Sequence, residues 1–234
     1  RSRTCCSLED VEDARSVAFR LRIPYYVFNF SDEFRRQVMD RFADAYGQGR
    51  TPNPCIDCNR YLKFRHLYDR AALLGCDAIA TGHYARIERE NGRYLLKKAL
   101  DASKDQSYVL YMLTQEQLAH TQFPLGALHK SETRQLADSL GFFNARKPDS
   151  QDICFVPDGD YAAFIRRHTG KEDVPGDFVD ETGRVLGRHK GITHYTIGQR
   201  KGLGIPSNRP LYVKAIDPKS NQVVLSENDA LFSQ

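Results

Sequence analysis

At 234 residues, with 41% hydrophobic and 27% charged side chains, the chain has the composition of a folded globular protein with room for one large domain or two small ones. No apolar run approaches the roughly 20 residues that cross a bilayer, which excludes a helical membrane span, and the first seven residues hold no apolar core of a secretory signal. A net charge of +4 permits a polyanionic partner without requiring one, and six cysteines are too few for a disulfide scaffold, so they read as reduced thiols of a cytoplasmic protein with redox, metal-binding or nucleophilic uses.

Along the chain, Leu8, Val11, Ala14, Val17, Ala18 and Leu21 recur at helical spacing behind Ser7, with Glu9 and Asp10 in the first turn, and predict an amphipathic helix capped by Ser7. Residues 25–30, aromatic-rich and preceded by Pro24, read as a strand, and a second helix follows over about 32–46. Two glycines and two prolines break the pattern over 47–54. The next helix is expected from Asn59 to Leu74, ended by Gly75, and residues 77–81 read as a buried strand closed by Gly82. Strands alternating with helices of this length predict an α/β layer with a parallel sheet, and such sheets bind ligands beyond the carboxyl ends of their strands. Both the cysteine-bearing loop before Asn59 and Gly82-His83 fall near such ends. Asn91-Gly92 then marks a hairpin between 85–90 and 93–98, and a helix is expected over 131–140 with Gly141 as its stop.

After Cys154 the pattern changes to short strands and turns. Asp160 is placed to cap a helix reaching His168 and ended by Gly170, and strands are expected at 177–179, 184–190, 193–197, 211–217 and 222–226. The domain organisation that follows is a first α/β domain over 1–156 and a small mainly β domain over 157–234.

Chemistry is concentrated in a few segments. In Thr51-Pro52-Asn53-Pro54-Cys55-Ile56-Asp57-Cys58-Asn59 two prolines stiffen a loop that delivers two thiols at a helix start, where the partial positive charge is expected to lower a thiol pKa from about 8.5. The same spacing also fits a redox pair, half a zinc site or incidental cysteines, although the second Cys-x-x-Cys of a zinc ribbon is missing from the sequence. Cys154, between Ile153 and Phe155, is either reactive or a buried core residue. His83 is either functional or a satisfied histidine at a strand end. Lys104-Asp105-Gln106-Ser107-Tyr108 and Gly198-Gln199-Arg200-Lys201-Gly202-Leu203-Gly204 combine cations, amides and glycines in a way that suits phosphate contact, or serve as solvated turns.

Taken together, these segments resemble the bacterial and mitochondrial tRNA-specific 2-thiouridylases almost end to end. The resemblance rests on Gly49-Arg50-Thr51-Pro52-Asn53-Pro54, Cys58-Asn59, Lys63-Phe64, Ala80-Thr81-Gly82-His83-Tyr84, the 104–108 segment, Ser150-Gln151-Asp152-Ile153-Cys154-Phe155 and Tyr195-Thr196-Ile197 running into the 198–204 segment. It implies an adenine nucleotide alpha-hydrolase-like fold, Rossmann-like and of the PP-loop ATPase type, over 1–156, with a small central β domain after it. It further implies an ATP-dependent sulfurtransferase, with magnesium accompanying the ATP, that thiolates the wobble uridine, position 34, of Glu, Gln and Lys tRNAs. The sulfur would come from a sulfur carrier or cysteine desulfurase. By position in these motifs, Cys154 would carry a persulfide and Cys58 would be the partner nucleophile, 96 positions away. Gly82 would lie against the nucleotide; Asn53, Pro54 and Cys55 would contact the target base; His83, Lys104, Asp105 and Gln106 would touch tRNA.

The sequence departs from the family pattern in three ways. The pyrophosphatase loop, Ser-Gly-Gly-x-Asp-Ser, expected before Arg1, does not occur in it, so the chain by itself is expected to bind ATP poorly and to be inactive. The C-terminal β-barrel expected after Gln234 is not in it either. Cys55 stands where many relatives have an aspartate, which opens a second route in which Cys55, Cys58 and Cys154 ligate three irons of a [4Fe-4S] cluster. Two other classes remain as alternatives: an ATP-dependent ligase of the argininosuccinate synthase kind, which needs no cysteine pair, and an RNA- or metal-binding module without catalysis.

Overall fold

The first helix, α1, spans Leu8–Leu21 in the structure, a computed structural model that describes residues 8–147 and 153–227. The expected cap, Ser7, lies outside the described residues. Only Ala18 of this helix is buried, and polar ties hold it: Lys147 joins Asp10 and Asp13 at 2.7 and 2.8 Å, and Arg20 Nη1 donates to the carbonyl of Gly141 at 2.9 Å.

Residues 25–30, expected to form a strand, have no ladder partner among the described residues and are irregular. They keep the alternation of an extended chain, since the rings of Tyr26, Phe28 and Phe30 stack in succession with centroids 6.5 and 6.1 Å apart. Side-chain pattern chooses the faces of such a segment, but its backbone groups make a strand only when a neighbour supplies partners.

Helix α2, residues 31–47, is α-helical at Ser31–Phe34 and Asp40–Gly47 with a π-helical stretch, Arg35–Met39, between them. Helix α3, residues 54–73, repeats this arrangement with Pro54–Asp57, a π-helical Cys58–Leu67 and Tyr68–Leu73. It starts five residues before the expected Asn59. Proline suits a first helical position, because that N–H has no intrahelical partner to lose.

The strand expected at 77–81 is reduced to β1, Ile79–Ala80. Beyond it, β2 (Ala85–Glu90) and β3 (Arg93–Lys98) form the expected hairpin, with Asn91 at φ 49° and Gly92 at φ 78° supplying the two left-handed residues of a tight turn. Three elements were not anticipated: a 3₁₀ turn at Ser107–Val109, helix α4 (Gln115–Ala119) and strand β4 (Thr121–Gln122). Thr114 and Gln117 form a capping box at the start of α4. Strand β4 pairs in parallel with β1, Ile79 opposite Thr121, and this short pair is the parallel sheet present among the described residues. Helix α5, Lys130–Ser139, closes the run, and Gly141 takes φ 67° after it. The core beneath these elements is Phe64, Ile79, Ala85, Val109, Leu110, Leu113, Leu118 and Phe123.

The chain divides into two compact units, one from residues up to 37 and 54–155, the other from 38–53 and residue 156 onward. Residues 38–53 therefore group with the later segment rather than with 1–156. The rings of Phe42 and Tyr46 pack on Tyr161, and Phe42 also meets Phe164 at 6.0 Å. His168 Nε2 lies 2.6 Å from Asp40 Oδ1.

In this second unit, α6 (Tyr161–Thr169) starts as expected at Asp160, whose Oδ1 accepts the Ala163 N–H at 2.9 Å, and stops at Gly170 with φ 69°. Strands β5 (Gly176–Val179), β6 (Val185–His189), β7 (Leu211–Asp217) and β8 (Gln222–Glu227) form one sheet in the order β6-β5-β8-β7, antiparallel except for the parallel β5–β8 pair. The strand expected at 193–197 is absent; a 3₁₀ turn, Ile192–His194, takes its place. Asp173 captures it, accepting the Thr193 hydroxyl at 2.8 Å and lying 3.0 Å from His194 Nε2. Tyr195 and Leu203 instead enter the core with Phe178, Val213, Val223 and Leu225. Among the described residues no helix is long and apolar enough to cross a membrane.

Candidate active site

The first turns of α3 carry the cysteines, and the burial of this helix has an unusual period. Pro54, Asn59 and Phe64 are buried while the residues between them are not. A spacing of five is the signature of π-helical i→i+5 closure, which places residues five apart on one face. Cys58 and Lys63 stand at the same offset, both half-buried, on the strip beside Asn59 and Phe64. An α-helical period of 3.6 hides this relation.

Asn59 is 2% exposed, and its Nδ2 donates to the Val109 carbonyl at 3.4 Å, but its Oδ1 has no hydrogen-bond partner. An unsatisfied buried amide oxygen costs about 1–3 kcal/mol.

Cys55 is exposed, yet crowding around its sulfur pushes the thiol pKa up, against the opposing pull of the Lys63 ammonium. This corrects the expectation of a lowered thiol at that position: desolvation disfavours the thiolate more than the nearby positive charge favours it. Pro54, expected at the target base, is buried, and Asn53 is exposed.

His83 is buried between the rings of Phe64 and Phe123, each 5.9 Å from it, with Thr81 Oγ1 2.7 Å from its Nδ1. Burial, helped by the Lys63 charge, pushes its pKa down to about 4. The ring is therefore neutral at pH 7 and meets any partner through hydrogen bonding rather than as a cation. Lys63 acts on both Cys55 and His83, and it is the member of this constellation that the sequence motifs alone left without a role.

The fold joins two motifs that are separate in sequence. Gln106 N–H donates to the Tyr84 carbonyl at 2.8 Å, and the Tyr84 N–H donates back to Gln106 Oε1 at 3.0 Å. Asp105 accepts the Ala99 N–H at 2.9 Å and the Ser107 hydroxyl at 2.7 Å; burial opposes its ionisation, but these hydrogen bonds outweigh it and hold the carboxyl below its usual range. Much of the polar capacity of Asp105 and Gln106 is thus spent inside the chain. Lys104, at the start of the same turn, is half-buried. Gly82 follows β1 at its carboxyl end. Among the described residues a methyl group there would meet only Leu125 Cδ1 at 3.7 Å, so their packing does not require glycine at this position.

Cys154 is half-buried beside Phe155, whose ring meets Phe34 edge-on at 5.7 Å; residues 148–152 of its motif lie outside the described residues. Cys55, Cys58, Cys76 and Cys154 are all free of disulfides. Among the described residues no three His, Cys, Asp or Glu side chains come together as a metal-holding group, so Cys55, Cys58 and Cys154 as placed are not a ligand set for a cluster.

Residues 1–158 match the family model described as the tRNA methyl transferase HUP domain, and residues 162–227 match that of the tRNA methyl transferase PRC-barrel domain. The chain belongs to this family, an α/β nucleotide-hydrolase-like domain followed by a small β domain. It is 56% identical over 230 residues to a protein of Lachnoclostridium phytofermentans named tRNA-specific 2-thiouridylase MnmA, covering 98% of this chain and 64% of that protein. It is 57% identical over 230 residues to tRNA-specific 2-thiouridylase MnmA 1 of Thermoanaerobacter sp. strain X514, covering 97% and 63%. It is 52% identical over 232 residues to tRNA-specific 2-thiouridylase MnmA of Clostridioides difficile strain 630, covering 98% and 64%. The chain thus spans somewhat less than two thirds of the length of these relatives.

Proposed function

We propose that the chain acts in ATP-dependent 2-thiolation of the wobble uridine of tRNA, in the cytoplasm, with Glu, Gln and Lys tRNAs as substrates. The observation that carries this reading is 56% identity over 98% of the chain to a protein named as a tRNA-specific 2-thiouridylase. The geometry supports it through the two thiols at the start of α3 and the Lys63 charge that acts on Cys55. Residues up to about 156, less the 38–53 segment, form the catalytic part, and the later residues form a small central domain.

In the proposed reaction, ATP with its magnesium binds against Gly82 and adenylates O2 of the uridine, releasing pyrophosphate. The terminal sulfur of a persulfide on Cys154, loaded by a sulfur carrier or cysteine desulfurase, adds to C2, and AMP leaves with the former O2. Cys58 as thiolate then attacks Sγ of Cys154. The bond between that Sγ and the transferred sulfur breaks, 2-thiouridine is released, and a Cys58–Cys154 disulfide remains for an external thiol to reopen. Lys63, five residues beyond Cys58 on the π-helical face, stabilises the attacking thiolate. Asn53, Pro54 and Cys55 border the target base, and His83, Lys104, Asp105 and Gln106 support tRNA contact.

Nucleoside mass spectrometry of tRNA tests this in a strain whose only source of 2-thiouridine is the full-length protein. Cys58→Ser and Cys154→Ser should each abolish 2-thiouridine while leaving tRNA binding intact. Normal thiolation by either variant would remove the pair from the reaction.

A further inference from the structure

The segment from Gly198 to Leu211 in the second unit is unused by the reaction above, yet it is built rather than loose. Gln199 organises its start: its Oε1 accepts the Thr196 N–H at 3.0 Å, its Nε2 donates to the Lys201 carbonyl at 3.0 Å, and its own carbonyl accepts the Val213 N–H at 2.9 Å. The Gly198 N–H donates to the Val213 carbonyl at 2.8 Å, which clips the turn to β7. Leu203 is buried in the core of the β domain. Ile205 lies over β6 where Gly187 leaves room, since a methyl group there would come within 2.5 Å of its Cδ1. Gly198, Gly202 and Gly204 all take positive φ, between 68° and 83°, a region that other residues enter only under strain.

This framework encloses an open cavity of about 530 Å³, bounded by Arg200 and by residues 202–211. Two arginines line it, and no acidic residue does. Glu227, outside the lining, holds the Arg209 guanidinium at 2.8 Å. Arg200 is exposed, and Lys201 follows it in the same turn. An arginine fork beside glycines whose backbone can be approached closely is a recognised combination for a phosphate oxygen. The exposure of residues 206–210 suits a strand passing across the rim more than a small anion sealed inside.

We propose that the 198–211 cavity is a phosphate-binding site for the tRNA backbone, with Arg200 as its principal cation and Arg209 as a second, oriented by Glu227. The site sits outside the thiol-bearing segments and contributes affinity and register rather than chemistry. It rests on the tRNA reading above.

Its test is the salt dependence of binding between the full-length protein and an unmodified tRNA(Glu) transcript. Losing one phosphate contact lowers the slope of log K against log salt by about one and weakens binding about fivefold near 0.15 M salt. Arg200→Ala should show both effects with an unchanged melting temperature, and Arg200→Lys should restore the slope. Arg184→Ala, which removes an exposed cation of the same unit paired with Asp180, should show neither. If Arg200→Ala leaves affinity and slope unchanged, or if Arg184→Ala reduces them equally, the site is refuted while the tRNA reading stands. A shift in ATP affinity alone would assign the cavity to a free nucleotide and refute the proposal. Failure of the unaltered protein to bind the transcript would overturn the tRNA reading itself.

Discussion

His83 gives the structure a pH dependence that can be calculated. The imidazole titrates near 6.5 in the unfolded chain and near 4 in the folded one, because burial between Phe64 and Phe123 and the Lys63 charge both oppose its protonation. Between these values the unfolded state binds more protons than the folded state, so stability falls as pH falls. Above about pH 7.5 this group is neutral in both states and has no effect. By about pH 5 the loss reaches roughly 2 kcal/mol, and below pH 4 it levels off near 3 kcal/mol. Because the chain has two units, the readout should be local: amide exchange at Leu110, a fully buried core residue of the first unit, measured at pH 7 and about pH 5 and corrected for intrinsic exchange. His83→Gln cannot titrate and should lose about 2 kcal/mol less than the unaltered protein over that interval. Acidic groups such as Asp101 and Asp105 contribute equally to both proteins and cancel in the difference. Lys63→Met should raise the imidazole pKa measured by NMR. Equal losses in the two proteins, or a His83 midpoint near 6.5, would refute the claim of a desolvated neutral ring.

Other outcomes follow from local geometry. A methyl group at Gly126 would lie 1.7 Å from the Ala85 carbonyl oxygen at the start of β2, so Gly126→Ala should lower the stability of the first unit by about 1–3 kcal/mol in chemical denaturation. Asp160→Ala removes the cap of α6 and should cost the second unit about 1 kcal/mol by the same measurement, with Asp160→Ser recovering most of it. Gly82→Ala meets only Leu125 at 3.7 Å, so it should melt normally yet weaken ATP binding in calorimetry of the full-length protein; unchanged binding would remove Gly82 from the nucleotide site.

Local chemistry made much of the fold legible in the sequence. Asn91-Gly92, Asp160, Gly170 and Gly141 each act through their own backbone conformation or a partner three residues away, and each does in the structure what its residue type requires. Features that depend on distant partners were not legible. Residues 25–30 have a strand's alternation but no ladder neighbour among the described residues, and residues 193–197 are diverted by Asp173, twenty positions upstream of Thr193. Strand β4 is two residues long, too short for any periodicity. At the candidate site the motifs marked Cys55, Cys58 and His83, but the role of Lys63 was hidden. It emerges only in the fold, where the Lys63 ammonium acts on Cys55, eight positions earlier, and on His83. The raised thiol pKa of Cys55 was likewise out of reach, since it reflects desolvation in the folded chain.

The path of the sulfur through the protein can be followed directly. The full-length protein, incubated with a cysteine desulfurase and isotopically labelled cysteine, then quenched with an alkylating agent, can be mapped by peptide mass spectrometry with its iron content recorded alongside. Labelled persulfide is expected on Cys154 before tRNA and ATP are added, and a Cys58–Cys154 disulfide after one turnover, both independent of iron. Labelled 2-thiouridine formed with no label on Cys154, and in proportion to bound iron, would contradict the persulfide route.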